Sequence, residues 1–320
     1  MQRISPLIFT ILILIANTAK ASADNKKELW VYTSLYKEFA APIEKAFEEK
    51  YPDVDVHIFQ AGSEKIQAKI EAELLANRPQ ADVLITSDPF WTTALDKRGL
   101  VLSRPTRPNV DINYYSLMVI ISHKDFPLEK RPAAFSDLAK PEYKNLTQFG
   151  SPLESGTAFA AVAYLSRKYG WDFFKKLSDN KLASNGGNST VIQKVESAEK
   201  KLGVVLLENA LAAKKRGSPI EIIYPSDGSI PIPSVQAILK TSKQPEAASR
   251  FAEFLLSTDG QKLLRNGYMH SVRKDVQPPE GAPALTDATK NSTKWSADLF
   301  GLVADEAKTI KEKYATMLLD

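Results

Sequence analysis

Cysteine is absent from this chain of 320 residues, which excludes a disulfide framework, thiolate metal sites and a lipid-bearing cysteine behind a cleavage site. Histidine is nearly absent. His57, His123 and His270 are the three, scattered without metal-ligand spacing and with no evident route to a serine nucleophile. There is no G-x-S-x-G elbow, no H-E-x-x-H, no Walker loop and no G-x-G-x-x-G after a strand, so nothing is arranged for hydrolysis or nucleotide chemistry. Long blocks of one charge are missing too. Removing Arg3 and Lys20 takes the 42 basic residues to 40 against 38 acidic ones, a balance that leaves no nucleic-acid footprint.

The one apolar run of any length, Pro6 to Ala16, falls short of the roughly 20 residues a bilayer span needs. It follows Met-Gln-Arg and precedes Ala21-Ser22-Ala23, which together make a secretory signal peptide over 1–23 with a mature chain starting near Asp24. Export without cysteine points to a bacterial periplasm. About 300 mature residues exceed one comfortable core and favour two lobes.

What the chain does have is a recurrent junction. Four times a strand-like run ends in a small hydroxyl residue and a helical pattern starts at once: Tyr32-Thr33-Ser34, Ala61-Gly62-Ser63, Thr86-Ser87-Asp88 and Glu154-Ser155-Gly156-Thr157. Ser, Thr and Asp are also ordinary N-caps. Four such sites together read as an oxyanion cage, built from free N–H groups and the positive ends of helix dipoles.

The order of elements agrees. Glu28–Ser34 reads as a strand, Lys37–Lys50 as a helix, Val54–Gln60 as an alternating strand, the segment capped by Ser63 as a helix and Ala81–Thr86 as a third strand. This βαβαβ order implies a parallel sheet whose ligands sit off the carboxyl ends of the strands, where Ser34, Ser63 and Ser87 fall. Tyr114–Ser122, long and uncharged, reads as a first crossover into a second alternating lobe. Ser229–Ser234, with Pro231 and Pro233, reads as the return crossover, a stiff connector denied a central ladder position. Helices are expected over 245–256, 258–266 and 298–319.

The succession Trp30-Val31-Tyr32-Thr33-Ser34, Ala81-Asp82-Val83, Glu154-Ser155-Gly156-Thr157 and Ile222-Ile223-Tyr224-Pro225-Ser226-Asp227-Gly228, followed by Ile230-Pro231-Ile232-Pro233-Ser234, resembles periplasmic solute-binding proteins of ABC importers. The subgroup is the one that holds binders of ferric iron, 2-aminoethylphosphonate, phosphoglycerate and hexose phosphates. The resemblance covers essentially the whole mature chain. It implies an α/β fold of the type II periplasmic binding class: two lobes, each a mixed, mostly parallel sheet flanked by helices, joined by two crossover strands and closing on ligand by a hinge. The lobes would be 24–116 plus 232–273 and 117–231 plus 274–320, the tail from about Lys274 folding back onto the second. The implied partners are a small ligand and an inner-membrane permease, with no nucleic acid, no cofactor and a monomeric chain.

Ferric-binding members use an adjacent tyrosine pair from the second lobe and commonly a first-lobe histidine. Here the corresponding segment is Leu206-Leu207-Glu208-Asn209-Ala210 and the histidine position is Tyr36, so the iron set is missing. Tyr114-Tyr115 lies in the crossover and is read as hinge packing. What remains is Thr33, Ser34, Ser63, Ser87, Ser155, Gly156, Thr157 and Asn188 for an oxyanion, with carboxylates at Glu208, Asp227 and Asp88 for an ammonium or sugar hydroxyls. The expected ligand is a phosphonate or phosphate ester, 2-aminoethylphosphonate or a sugar phosphate. Ferric iron, or a role as a sensor subunit of a signalling receptor, is the alternative.

Overall fold

The computed structural model describes residues 26–319; the signal-peptide segment lies outside them. The first half is built from β1 (Lys27–Thr33), α1 (Lys37–Lys50), β2 (Val54–Gln60), α2 (Ser63–Leu75), β3 (Val83–Thr86) and α3 (Pro89–Lys97). Side chains of β1 alternate between two apolar layers, as strand periodicity demands. Leu29 and Val31 face the layer holding Phe47 and Phe251, while Trp30 and Tyr32 face the layer holding Ile66 and Trp91. The register is parallel for β1 with both β2 and β3.

The chain then crosses along β4 (Val110–His123) into β5 (Thr147–Phe149), α4 (Gly156–Tyr169), α5 (Trp171–Asp179), β6 (Ala183–Ser184), α6 (Asn188–Glu196), β7 (Leu202–Leu206), α7 (Leu207–Lys215) and β8 (Ile220–Ile223). It returns through β9 (Ile230–Ile238) to α8 (Pro245–Leu256), α9 (Thr258–Asn266) and β10 (His270–Ser271), and ends with α10 (Leu285–Ala288) and α11 (Ala297–Leu318). Strand order is β2-β1-β3-β9-β4-β7-β5-β6, with β8 and β10 also paired to β4. The early part of β4 pairs with β9 and β10, the later part with β7 and β8. Met118 and Ile120 feed one second-half core, Leu117, Val119 and Ile121 the opposite one.

One expectation is corrected. The proline-bearing return segment is not outside the ladder: β9 lies between β3 and β4. Pro231 stands opposite Leu117 and Pro233 opposite Tyr115, so the two share one parity and turn their N–H-less nitrogens away from β4 together. Pairing with β3 begins only at Val235, where the prolines are past. The Pro231 carbonyl, facing outward, accepts Trp295 Nε1–H at 2.7 Å.

The tail packs in the second half and also touches the first. Tyr314 and Val303 are buried in the second-half core, where Phe90 of α3 also inserts, 5.5 Å from Phe159 and 5.3 Å from Trp295 between ring centroids. Lys311 Nζ reaches both Glu64 carboxylate oxygens at 2.8 Å, and Lys97 Nζ reaches Asp305 at 3.0 Å. Helix α11 is therefore a strap across the cleft.

Candidate functional site

A cavity of about 140 Å³ lies between the halves, lined by Ser34, Tyr36, Phe39, Gln60, Gly62, Ser63, Ser87, Tyr114, Ser155, Gly156, Thr157, Gly187, Asn188, Leu206 and Glu208, with Leu35 and Glu154. Eight expected residues meet there: Ser34, Ser63, Ser87, Ser155, Gly156, Thr157, Asn188 and Glu208. The halves are in contact around it. A Cβ built on Gly156 would lie 2.7 Å from Ser63 Cβ, so the glycine lets the N-terminus of α4 touch that of α2.

Five helices begin on this cavity, and four of them are left uncapped. The N-cap residues Tyr36 of α1, Gly62 of α2, Gly187 of α6 and Leu206 of α7 make no side-chain capping hydrogen bond, so first-turn N–H groups remain for a ligand. Where a helix is capped internally the donor is consumed. Ser155 Oγ takes Ala158 N–H at the start of α4, and Asp88 Oδ1 takes Phe90 and Trp91 N–H at the start of α3.

The hydroxyls are oriented by what they accept. Asp88 N–H donates to Thr86 Oγ1, which donates to Ser63 Oγ at 2.9 Å; Ser87 N–H donates to Ser34 Oγ at 3.1 Å. In the second half Leu206 N–H donates to Asn188 Oδ1, and Asn188 Nδ2–H donates to Thr157 Oγ1, which is 3.0 Å from Ser155 Oγ. Ser34 Oγ, which accepts Ser87 N–H, and Ser63 Oγ, which accepts the Thr86 hydroxyl, keep their protons to give, and the Ser155–Thr157 pair has one proton left between them, which suits an acceptor-rich ligand. Asn188 is a brace more than a contact.

Glu208 stands opposite in chemistry. It is 4 % exposed; Ser116 Oγ–H donates to its Oε1 at 2.5 Å, and its Oε2 has no partner among the described residues. Burial raises its pKa from 4.5 to about 7, against the lowering effect of the Ser116 bond. No Lys, Arg or His is among the lining residues. Among the described residues no three His, Cys, Asp or Glu side chains gather where a metal could be held.

Three expected residues lie elsewhere. Thr33 is buried behind the cavity, its Oγ1 accepting Leu35 N–H at 3.0 Å to shape the β1–α1 turn. Asp88 is spent on capping α3, and burial raises its pKa to about 6. Asp227 is not at the cavity: its oxygens accept Phe135 N–H, Ser136 N–H and the Tyr169 hydroxyl, so its turn motif serves a structural cap in the second half. Conversely Tyr114, read as hinge packing, lines the cavity, its hydroxyl against Ser234 and Ser87 and its pKa pushed up to about 12 by burial. Gln60 was legible as the carboxyl end of β2; Tyr114 had no signal beyond its place in a crossover.

A cavity of donors at strand ends, closed between two α/β halves that share crossover strands, is a design for holding a solute. Residues 29–269 match the family of bacterial extracellular solute-binding proteins. The chain belongs to that family. It is a solute-binding component of ABC transport, and its relatives are periplasmic binding proteins. A Salmonella typhimurium periplasmic protein provisionally named for 2-aminoethylphosphonate binding is 25% identical over 266 residues, 77% of this chain and 78% of that one. The periplasmic binding protein AfuA of Actinobacillus pleuropneumoniae, solved with fructose-6-phosphate, superposes with a TM-score of 0.80 at 25% identity, covering 92% of this chain and 99% of its own. Iron-bound HitA of Pseudomonas aeruginosa shares the fold with a TM-score of 0.77 at 22% identity, over 90% of this chain and 99% of that one. These likenesses bear out the two-lobed type II fold.

Proposed function

We propose that this protein captures a small aminophosphonate of the 2-aminoethylphosphonate type in the periplasm and hands it to an inner-membrane permease, as a monomer and without chemistry of its own. The observation that carries the reading is buried Glu208, whose Oε2 has no partner among the described residues, lining a cavity onto which four helices, its own among them, open with uncapped N-termini. Each terminus acts as roughly half a positive charge, about +2 in all. An ionised Glu208 leaves about +1 to be met, which is the complement of a phosphonate dianion carrying an ammonium. The phosphonate takes the N–H groups, the Ser34 and Ser63 hydroxyls and the one free hydroxyl proton of the Ser155–Thr157 pair; the ammonium takes Glu208. Size favours the same class. At about 140 Å³ the cavity suits a compact ligand. The proposed lobes, 24–116 plus 232–273 and 117–231 plus 274–320, hinge at the strands β4 and β9 to admit it.

A sugar phosphate is the second reading, favoured by the likeness to AfuA. It requires a neutral Glu208, because a dianion without an ammonium already balances the helix ends. Titration calorimetry at pH 7 in buffers of different ionisation enthalpy separates the two. With 2-aminoethylphosphonate the wild type should release more protons than Glu208→Gln does; with fructose 6-phosphate it should take protons up. Tight binding of neither compound, or identical proton counts in wild type and Glu208→Gln, would sink the aminophosphonate reading.

A further inference from the structure

The interlobe cleft does not end at the compact cavity. A second chamber of about 200 Å³ continues from it between α1 of the first half and the flanks of α6 and α7 of the second, and the only residues lining both are Tyr36 and Phe39. Their rings meet edge to face with centroids 6.4 Å apart and planes at 89°, a stable aromatic arrangement. Tyr36 is the N-cap of α1 and makes no side-chain capping bond. Tyr36 thus lines both spaces from the start of α1.

The far chamber is polar and carries both charges. Glu38 and Glu196 flank it, with Arg216, Ser189, Gln193 and Asn209. Asn209 Oδ1 is shielded from solvent and has no hydrogen-bond partner among the described residues, an acceptor left unsatisfied until a donor reaches it. A lining of this kind matches hydroxyls or a mixed-charge extension, not an apolar tail. Near Tyr36 both chambers are walled by the same three helices, so a ligand anchored at the N-termini could run on along their flanks if the ring were gone.

We infer that Tyr36, backed by Phe39, is the residue that sets ligand length in this protein: its ring closes the cage behind a compact phosphonate and shuts off a second polar chamber fitted to the remainder of a longer phosphate ester. The inference rests on the phosphonate reading for the compact ligand, but its own content is the partition. A specificity wall of this sort acts by exclusion of the longer competitor more than by attraction of the shorter ligand. Removing it should therefore change a ratio of affinities.

The test is calorimetric titration of wild type, Tyr36→Ala, Tyr36→Phe and Glu208→Gln with 2-aminoethylphosphonate and fructose 6-phosphate, after circular dichroism and melting curves show that each variant is folded. The wild type should prefer the aminophosphonate by at least about a hundredfold; Tyr36→Ala should shrink that ratio by tenfold or more, chiefly through tighter binding of the sugar phosphate. Tyr36→Phe restores the ring and should restore the ratio. An unchanged ratio in Tyr36→Ala, or a Tyr36→Phe variant that behaves like Tyr36→Ala, would overturn the partition, the latter by assigning the effect to the hydroxyl. A wild type that already binds the sugar phosphate as tightly as the aminophosphonate overturns it as well. The aminophosphonate reading fails separately, when Glu208→Gln leaves the wild-type preference intact, and a wild type that binds neither compound defeats both.

Discussion

Glu208 is held in tension by its surroundings: the protein removes its water and supplies one hydrogen bond where an ionised carboxylate needs several. Its folded pKa of about 7 against an ordinary 4.5 has a definite consequence for the empty protein. Between those values the folded chain holds a proton that the unfolded chain has lost, so stability falls as pH rises through this window and levels off above it. Glu208→Gln removes the effect. The unliganded variant should gain up to about 3 kcal/mol over wild type at pH 8, at 1.36 kcal/mol per pKa unit, and nothing at pH 4. Urea unfolding at the two pH values checks this, and equal gains at both would show that the acid is not strained by burial.

Residue chemistry also marks where sequence reading stops. The hydroxyls at Ser34, Ser63 and Ser155 were legible because strand-to-helix junctions place them at known ends of a parallel sheet. Asp227 was not separable from them, since a Pro-Ser-Asp-Gly turn has the same composition whether its carboxylate meets a ligand or caps the backbone of Phe135 and Ser136. Tyr114 was missed because an aromatic in a crossover strand packs or binds according to the lobe opposite it, which local pattern does not encode.

At the scale of elements, the site is a convergence of helix starts brought together by the close approach of α2 and α4. Gly156 permits that approach, with Ser63 Oγ 2.9 Å from where a Cβ would stand. Gly156→Ala should hold the lobes slightly apart, lowering ligand affinity at least tenfold while shifting the melting temperature of the empty protein by only a few degrees. Small-angle scattering with and without ligand reads the same effect as a lost contraction. The helices of 37–50, 245–256 and 258–266 were read to the residue because their apolar spacing is regular and Pro or Ser punctuates their ends. By contrast the start of α7 has no signal in the sequence, since Leu206-Leu207 continues the apolar run of β7 without a break. Helix boundaries inside continuous apolar runs have no local mark.

The whole molecule is tied by α11, which anchors in one half and reaches the other through Lys311 and Glu64. Glu64 sits in the first turn of α2, beside the cage of helix starts, and both charges are largely shielded, so this pair is more than a surface ion pair. Lys311→Met keeps the stem over the Phe159 ring, which the ammonium now faces at 4.8 Å, and leaves the Glu64 charge next to the cage. Affinity for phosphonates should drop about tenfold, the scale of one charge-assisted bond. Glu64→Gln in the same background should recover most of it. No recovery would mean that Lys311 acts through packing alone.

The order in which the parts are made gives the fold one more property. Strand β3 is flanked by β1 and by β9, and Val83 finds its partner at Ile238, so the sheet that starts the chain is completed only after most of the sequence has emerged. A ribosome or a translocation channel delivers residues from the N-terminus. Until β9 arrives, the leading half carries an open edge along β3, and so distant a pairing forms slowly. A chain arranged in this way completes its first sheet late, and the helix that straps both halves is made after every other element.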